Sequence, residues 1–113
     1  MDYFQCVSSS CVYDDNGPKK ILEETKPVGN PEKANLGYGI AKRLLEKKII
    51  LSSKRLKFPL SIVRPFNIYS ERYNWVGQNS QAIPMLVKKI MEADKKIEIW
   101  GSGKQRRNYL HAK

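Results

Sequence analysis

Tyr38 and Lys42 are the residues of this chain whose types and spacing best suit chemistry. On a helix, side chains four residues apart lie on one face and can interact. A lysine ammonium near a phenol favours the phenolate, and such a tyrosine can exchange a proton with a hydroxyl or carbonyl near neutral pH. Tyrosine and lysine also occur four apart by chance, as an exposed helix pair. The pair therefore needs support from other segments.

Two further polar segments follow predicted strands. Ser8, Ser9 and Ser10 close the first apolar segment, and the sequence Arg-Pro-Phe-Asn at 64–67 closes the second. In open parallel sheets, ligands bind beyond the carboxyl ends of the strands. A serine hydroxyl there could bond the same substrate oxygen as Tyr38. The ordered set of serine cluster, Tyr-x-x-x-Lys helix, Arg-Pro-Phe-Asn and Trp-Gly-Ser-Gly at 100–103 is more specific than any member alone.

Two glycine-containing segments resemble phosphate-binding loops but lack required features. Residues 37–42 suggest a dinucleotide loop, but no strand precedes them and Lys42 replaces the third glycine. Residues 101–104 suggest a phosphate loop, but Gln105 stands where serine or threonine is required. Neither pattern predicts a phosphate site.

The elements that must position these residues alternate between strand and helix. Strands are predicted over 4–8, 60–64, 97–100 and 108–111. One helix is predicted from about 36 to 51, and a second carries the apolar residues Ile83, Leu86, Val87, Ile90 and Met91. Residues 12–35 and 67–80 read as irregular, and the long first segment is expected to be functional. Asn35 is a plausible N-cap of the first helix, Asn79 or Ser80 of the second, and Pro84 fits the second helix's first turn. The pattern predicts an α/β fold with a parallel sheet that is only part of a larger domain.

The composition limits the classes of protein to which this chain can belong. The 113 residues allow one ordinary domain, and 41% hydrophobic with 28% charged residues excludes wholesale disorder. No apolar run could span a membrane, and no secretory signal is visible. Cys6 and Cys11 make neither a disulfide framework nor a metal site, so a reducing, cytoplasmic setting is expected.

The net charge of +10 is concentrated partly in residues 42–57. Because no aromatic residues are interleaved for stacking on bases, we interpret this stretch as a solvated helix face and expect no nucleic-acid binding. A few of its cations could face an anionic small molecule.

Residues 9–13, 38–42, 79–84 and 100–111 together resemble the extended short-chain dehydrogenase/reductases, the NAD-dependent epimerase/dehydratase family acting on nucleotide sugars. Within it, the resemblance is to the branch of GDP-L-fucose synthases and GDP-mannose 3,5-epimerases. The resemblance implies a partial Rossmann-like NAD(P)-binding domain over 1–113, without the N-terminal glycine-rich motif and the C-terminal remainder. It also implies NAD or NADP as cofactor, a nucleotide-diphosphate sugar (preferably a GDP-sugar) as substrate, and a homodimer at full length.

The resemblance implies a role for each matching residue. Ser9, Tyr38 and Lys42 would be catalytic, with Tyr38 as general acid/base, and Cys11 would be an acid/base in epimerisation. The cofactor would contact Val7, Ser8, Ser9, Ser10, Tyr38, Lys42, Pro65, Phe66, Asn67 and Ile68. The substrate would contact Asn67, Gln81, Lys89, Trp100 and Arg107. Cys11 could equally be a small buried residue at a strand end.

Several positions depart from that branch. Gln81 replaces a histidine that serves as the second epimerisation base, and glutamine cannot shuttle a proton at neutral pH. Ser70 and Glu71 replace the usual Gly-Pro, and the only histidine, His111, reads as structural. A UDP-sugar 4-epimerase remains an alternative, as does a basic binding module or a remnant without catalysis. The isolated chain is expected to be inactive.

Overall fold

The computed structural model describes residues 3–73 and 81–113, which fall into two compact units, Met1–Phe66 and Asn67–Lys113. Each unit is a strand–helix–strand arrangement with its own two-stranded parallel sheet. The predicted α/β class and parallel pairing are confirmed. The strands nevertheless belong to two separate two-stranded sheets.

The first unit contains β1 (Phe4–Val7), α1 (Leu36–Leu56) and β2 (Leu60–Val63). β1 and β2 pair in parallel with Phe4 opposite Leu60 and Val7 opposite Val63. A short 3-10 turn, Ser10–Val12, follows β1, and another, Lys33–Asn35, leads into α1. The buried apolar residues are Cys6, Val12 and Tyr13, so this unit's core lies between the sheet, the first turn and α1.

Helix α1 begins as predicted but extends five residues beyond the predicted end at 51. No breaker occurs before Lys57, whose left-handed backbone (φ 55°) ends the helix just before Phe58 and Pro59. Asn35 is the N-cap residue of α1, as predicted, although its side chain makes no capping hydrogen bond. Its Nδ2 donates instead to Glu32 Oε2 at 2.7 Å.

The second unit contains β3 (Asn67–Tyr69), α2 (Ala82–Glu92) and β4 (Tyr109–His111). β3 and β4 pair in parallel from Asn67 opposite Tyr109 to Tyr69 opposite His111. The predicted turn over 101–103 is present, with Gly101 and Gly103 at positive φ, and Pro84 lies in the first turn of α2 as predicted.

Three predictions for this unit need correction. Residues 67–69, predicted irregular, form β3, and residues 97–100, predicted as a strand, form none because they pair with no strand among the described residues. Gln81, rather than Asn79 or Ser80, is the N-cap residue of α2. Asn79 and Ser80 lie outside the described residues.

Candidate functional site

The serine cluster continues the pairing of β1 with β2 beyond the ends of both strands. Ser8 N donates to Val63 O at 2.8 Å, and Ser10 N donates to Pro65 O at 3.1 Å. Parallel strands bring their carboxyl ends to one edge of the sheet. The predicted cofactor residues Val7, Ser8, Ser9, Ser10 and Pro65 therefore lie together at that edge.

Ser9 organises the turn that follows. Its backbone is extended, and its Oγ accepts a hydrogen bond from Cys11 N at 3.2 Å, as the N-cap residue of the 3-10 turn. Ser9 is buried, with 9% of its surface exposed. Oγ therefore acts as an acceptor within the turn, and the Ser9 side chain also hydrogen-bonds to the side chain of Cys11.

Lys42 joins α1 to the same edge. Its Nζ donates to Val7 O at 2.9 Å and lies 5.6 Å from the centroid of the Tyr38 ring. Tyr38 itself is 51% exposed. An ammonium with three N–H donors thus lies between the carboxyl end of β1 and a tyrosine that a ligand could reach.

Gly39 allows α1 to approach the 3-10 turn this closely. A Cβ at this position would lie 2.5 Å from Cys11 O and 2.6 Å from the Cβ of Pro31. Only a residue without a side chain fits there. The Tyr38–Lys42 turn of the helix is consequently held against the Ser9–Cys11 segment.

Cys11 is partly exposed, and its pKa is raised above the ordinary value for a thiol. Burial is the largest cause, and the hydrogen bond and negative charge of Glu32 add to it, while the Ser9 hydrogen bond opposes it. The thiol is therefore protonated at neutral pH. In this state Cys11 can give a proton to a carbanion more readily than it can remove one.

Glu32→Gln should make Cys11 react faster with iodoacetamide. Removing the carboxylate lowers the pKa of the Cys11 thiol, so the alkylation rate at pH 8 should rise about two- to fivefold. The measurement is mass-spectrometric and follows alkylation of the peptide that contains Cys11, in a Cys6→Ser background. Glu24→Gln, in the same loop, is the control and should leave the rate unchanged; an equal rise in both variants would contradict the assignment.

Arg43 fixes the long loop that was predicted to be functional. Its guanidinium donates to the carbonyls of Val12 (2.7 Å), Gly29 (2.5 Å) and Val28 (3.2 Å). Lys42 and Arg43, both in the basic stretch, are thus committed to the protein's own backbone rather than to a solvated face. The rest of the stretch agrees with a largely exposed helix face.

Sequence reasoning missed a partly buried ion pair between Glu46 and Arg64 in this unit. Glu46, only 4% exposed, accepts two hydrogen bonds of 2.7 Å from Arg64. Burial raises the pKa of the Glu46 carboxyl, but its interactions with Arg64, and to a smaller extent with Ser8 and Arg43, together outweigh burial, so the net shift is downward. The pKa of Arg64 is raised by the same pair. The available sequence signal was the placement of Glu46 one helical turn after Lys42.

The second unit holds the predicted substrate residues. Lys89 Nζ donates to Glu98 O at 2.8 Å and lies 5.6 Å from the Trp100 ring centroid, so these two residues are brought together. Arg107 donates to the carbonyl of the neighbouring Arg106 and, within the part of the chain that the structure describes, forms no hydrogen bond with Lys89 or Trp100. Gln81 is exposed at the start of α2.

Three of the remaining predicted positions, Asn67, Ile68 and His111, also belong to the second unit. Asn67 and Ile68 lie in β3, and Asn67 Nδ2 donates to Asn108 O at 3.0 Å. His111 packs edge-on against Tyr69 at 5.1 Å, and its Nε2 lies 3.5 Å from Glu71 Oε1. These contacts agree with a structural role for His111. Phe66 ends the first unit.

The residues that the structure describes contain neither a cluster suited to a metal ion nor a membrane-spanning helix. Within residues 3–73 and 81–113, no group of three or more histidine, cysteine or acidic side chains is placed to hold a metal ion. No helix in those ranges has the length and apolar character needed to cross a membrane.

Comparison with known proteins gives one family. The NAD dependent epimerase/dehydratase family matches residues 1–113. GDP-L-colitose synthase from Yersinia pseudotuberculosis is 30% identical over 111 residues, which cover 94% of this chain and 36% of that protein. GDP-L-fucose synthase from Escherichia coli (strain K12) is 29% identical over 109 residues, covering 93% and 34%. The chain spans about a third of the length of these relatives.

Solved structures show the same fold. A UDP-N-acetylglucosamine 4-epimerase from Methanobrevibacter ruminantium M1, in complex with UDP-N-acetylmuramic acid, superposes with a TM-score of 0.81 at 20% identity, over 98% of this chain and 34% of that one. A GDP-L-fucose synthetase from Naegleria fowleri bound to NADP gives 0.76 at 24% identity, over 98% and 38%. At these identities the likeness concerns the fold alone.

Proposed function

Because the chain belongs to the NAD-dependent epimerase/dehydratase family, we propose that it is the central part of a nucleotide-sugar epimerase or reductase with a Ser9–Tyr38–Lys42 site. The observation that carries this proposal is the position of Lys42, bonded to the end of β1 and beside the ring of Tyr38. The remainder of the enzyme would supply the pyrophosphate-binding unit. The protein would work in the cytoplasm, where Cys6 and Cys11 stay reduced.

The residues at the sheet edge fit a nicotinamide dinucleotide, NAD or NADP. Val7 and Tyr38 are both more than half exposed there, and Lys42 keeps N–H donors beyond the one used on Val7 O. Lys42 would hold ribose hydroxyls, and the segments around Ser8–Ser10 and residues 65–68 would line the ring. The bound nicotinamide would supply hydride exchange with a sugar carbon.

Tyr38 would move the proton that accompanies this exchange. When an alcohol carbon loses hydride, its O–H proton passes to the Tyr38 phenolate and a carbonyl forms; in reduction the proton returns to the oxygen. The Ser9 hydroxyl would donate a hydrogen bond to the same oxygen and hold it near Tyr38. Cys11, protonated at neutral pH, would deliver a proton to the carbon next to that carbonyl in an epimerisation.

A GDP-sugar is the substrate that we favour, since the relatives named above act on GDP-sugars. Lys89 and Trp100 would contact it, together with Asn67, Gln81 and Arg107, because cations and an aromatic face suit a nucleoside diphosphate. Gln81 cannot act as a second base, so we favour reduction over two-base epimerisation. A UDP-sugar 4-epimerase is the second candidate, because 4-epimerisation needs no acid/base beyond Ser9, Tyr38 and Lys42 and is therefore compatible with Gln81.

Product analysis of the full-length protein tests these assignments. The protein would be incubated with NADPH or NAD and, separately, with GDP-4-keto-6-deoxymannose, UDP-glucose and UDP-N-acetylglucosamine. NADPH-dependent reduction of the GDP-sugar supports the favoured proposal, whereas 4-epimerisation of a UDP-sugar supports the second candidate. No turnover of any of them, with salt-sensitive DNA binding instead, would favour a non-catalytic binding module.

A homodimer through α1 is also part of the proposal. Leu36, Ile40, Leu44 and Leu51 lie at spacings that place them on one side of the helix, with 44, 45, 62 and 67% of their surface exposed. Gly39 and Glu46 occupy the buried side. An apolar stripe of this kind suits a second copy of the same helix.

Leu44→Glu combined with Leu51→Glu should convert the full-length protein to a monomer. Two charges in an apolar interface would cost more than the association provides, so the dissociation constant should rise at least about 100-fold. Sedimentation velocity measures the change. Met91→Glu, an exposed apolar residue on α2, is the control; a dimer that survives the double substitution would contradict the interface.

A further inference from the structure

One partly buried cluster connects the three segments that carry the proposed chemistry. It consists of Glu46 on α1, Arg64 after β2 and Tyr13 after the 3-10 turn. Arg64 makes two hydrogen bonds of 2.7 Å to Glu46 and donates to the Tyr13 hydroxyl at 2.9 Å. Its guanidinium also lies 5.4 Å from the Tyr13 ring centroid.

Each member adjoins a different part of the site along the chain. Tyr13 follows Cys11 by two residues, Glu46 follows Lys42 by one helical turn, and Arg64 directly precedes Pro65. Tyr13 N also donates to Ser10 O within the turn itself. The cluster is therefore the place where the serine turn, the tyrosine helix and the cofactor-lining segment are joined through side chains.

We propose that Glu46, Arg64 and Tyr13 are positioning residues that fix the Ser9–Cys11 turn in one position relative to the Tyr38–Lys42 segment of α1. That this relative position matters for catalysis rests on the proposed function. The three residues themselves touch neither substrate nor cofactor in this account.

The geometry of the cluster suits this task better than simple stabilisation. A planar guanidinium bonded at two points to one carboxylate fixes direction as well as distance, and the Tyr13 hydroxyl adds a third fixed point. Buried ion pairs are weak sources of net stability, because desolvation offsets most of the attraction. Their best-attested use is to specify one arrangement among several, and here that arrangement is the position of the turn relative to the helix.

Tyr13→Phe is the central test, since it removes one hydroxyl and leaves the ring in place. We expect hydrogen exchange at the amides of Cys11, Val12 and Tyr13 to accelerate about tenfold. This is the factor that corresponds to the free energy of one lost hydrogen bond to a charged group. Exchange within the β1–β2 ladder should not change. Glu46→Gln should produce a larger change at the same amides, and Glu92→Gln, which removes an exposed ion pair with Lys88, should produce none.

A second measurement follows kinetics in the full-length protein. Tyr13→Phe should lower kcat on the nucleotide sugar about tenfold and leave KM within about twofold, because misplaced reacting groups slow the chemical step. Uniform acceleration of exchange across the first unit, or unchanged exchange in both Tyr13→Phe and Glu46→Gln, would overturn the proposal. If the unsubstituted protein turned over no nucleotide sugar, the proposed function would fail, while hydrogen exchange would still decide the positioning role.

Discussion

Tyr38→Phe should lower kcat for nucleotide-sugar turnover by about 10²–10⁴-fold, the usual contribution of a general acid/base. The substitution removes only the hydroxyl that exchanges the proton with the sugar oxygen. The ring would still lie beside Lys42, so KM should change little. Steady-state kinetics of the full-length protein measure both constants.

The control for this substitution is Tyr3→Phe. Tyr3 is similarly exposed, at 57% against 51% for Tyr38, but lies at the opposite, amino end of β1. The kcat of the Tyr3→Phe protein should equal that of the unsubstituted protein. A Tyr38→Phe enzyme that retains more than half of the original kcat would remove Tyr38 from the chemistry.

Gly39→Ala should destabilise the protein by about 2–4 kcal/mol, at the upper end of what overpacking costs. The added Cβ meets Cys11 O at 2.5 Å and the Cβ of Pro31 at 2.6 Å. A backbone carbonyl and a proline ring cannot rotate out of the way as a long side chain could. The helix must therefore shift away from the turn, and activity should fall together with stability.

Gly37→Ala is the matched control, two residues earlier in the same helix. Apart from its chain neighbours and the backbone of α1 itself, no described atom lies within 4 Å of the position that its Cβ would take. Replacing a helical glycine by alanine in open space should stabilise the protein by up to about 1 kcal/mol. Urea denaturation of both variants gives the comparison, and similar effects of the two substitutions would show that α1 does not approach the turn as described.

The first unit could be predicted almost completely from its sequence. Apolar segments at 4–8 and 60–64, with a helical period between them, leave a parallel strand–helix–strand unit as the simplest arrangement. The spacing of Tyr38 and Lys42 was enough to place both on one side of that helix. The extension of α1 to Leu56 was missed because its last turn is mostly polar.

The second unit was harder to predict because its strands are very short. Residues 67–69 form a strand although Asn67-Ile68-Tyr69 is too short to show a period. Residues 97–100 alternate in polarity like a strand, yet a strand also needs a partner, and no pairing with them occurs among the described residues. Local pattern cannot supply that partner.

Glu46 shows the same limit within the site. It stands among Lys42, Arg43, Lys47 and Lys48, where a lone carboxylate reads as part of an exposed charged face. Its burial depends on Arg64, which is 18 residues away along the chain. Only the paired strands and the helix between them bring the two charges together.

Deuterium transfer tests the central claim most directly. The full-length protein would be incubated with a GDP-4-keto-6-deoxy sugar and NADPH carrying deuterium at C4 of the nicotinamide, and the product examined by mass spectrometry and NMR. We predict deuterium at a single sugar carbon, appearing at least about 100-fold more slowly with Tyr38→Phe. Unlabelled product, or labelling at the same rate in the Tyr38→Phe protein, would contradict hydride exchange at a Ser9–Tyr38–Lys42 site.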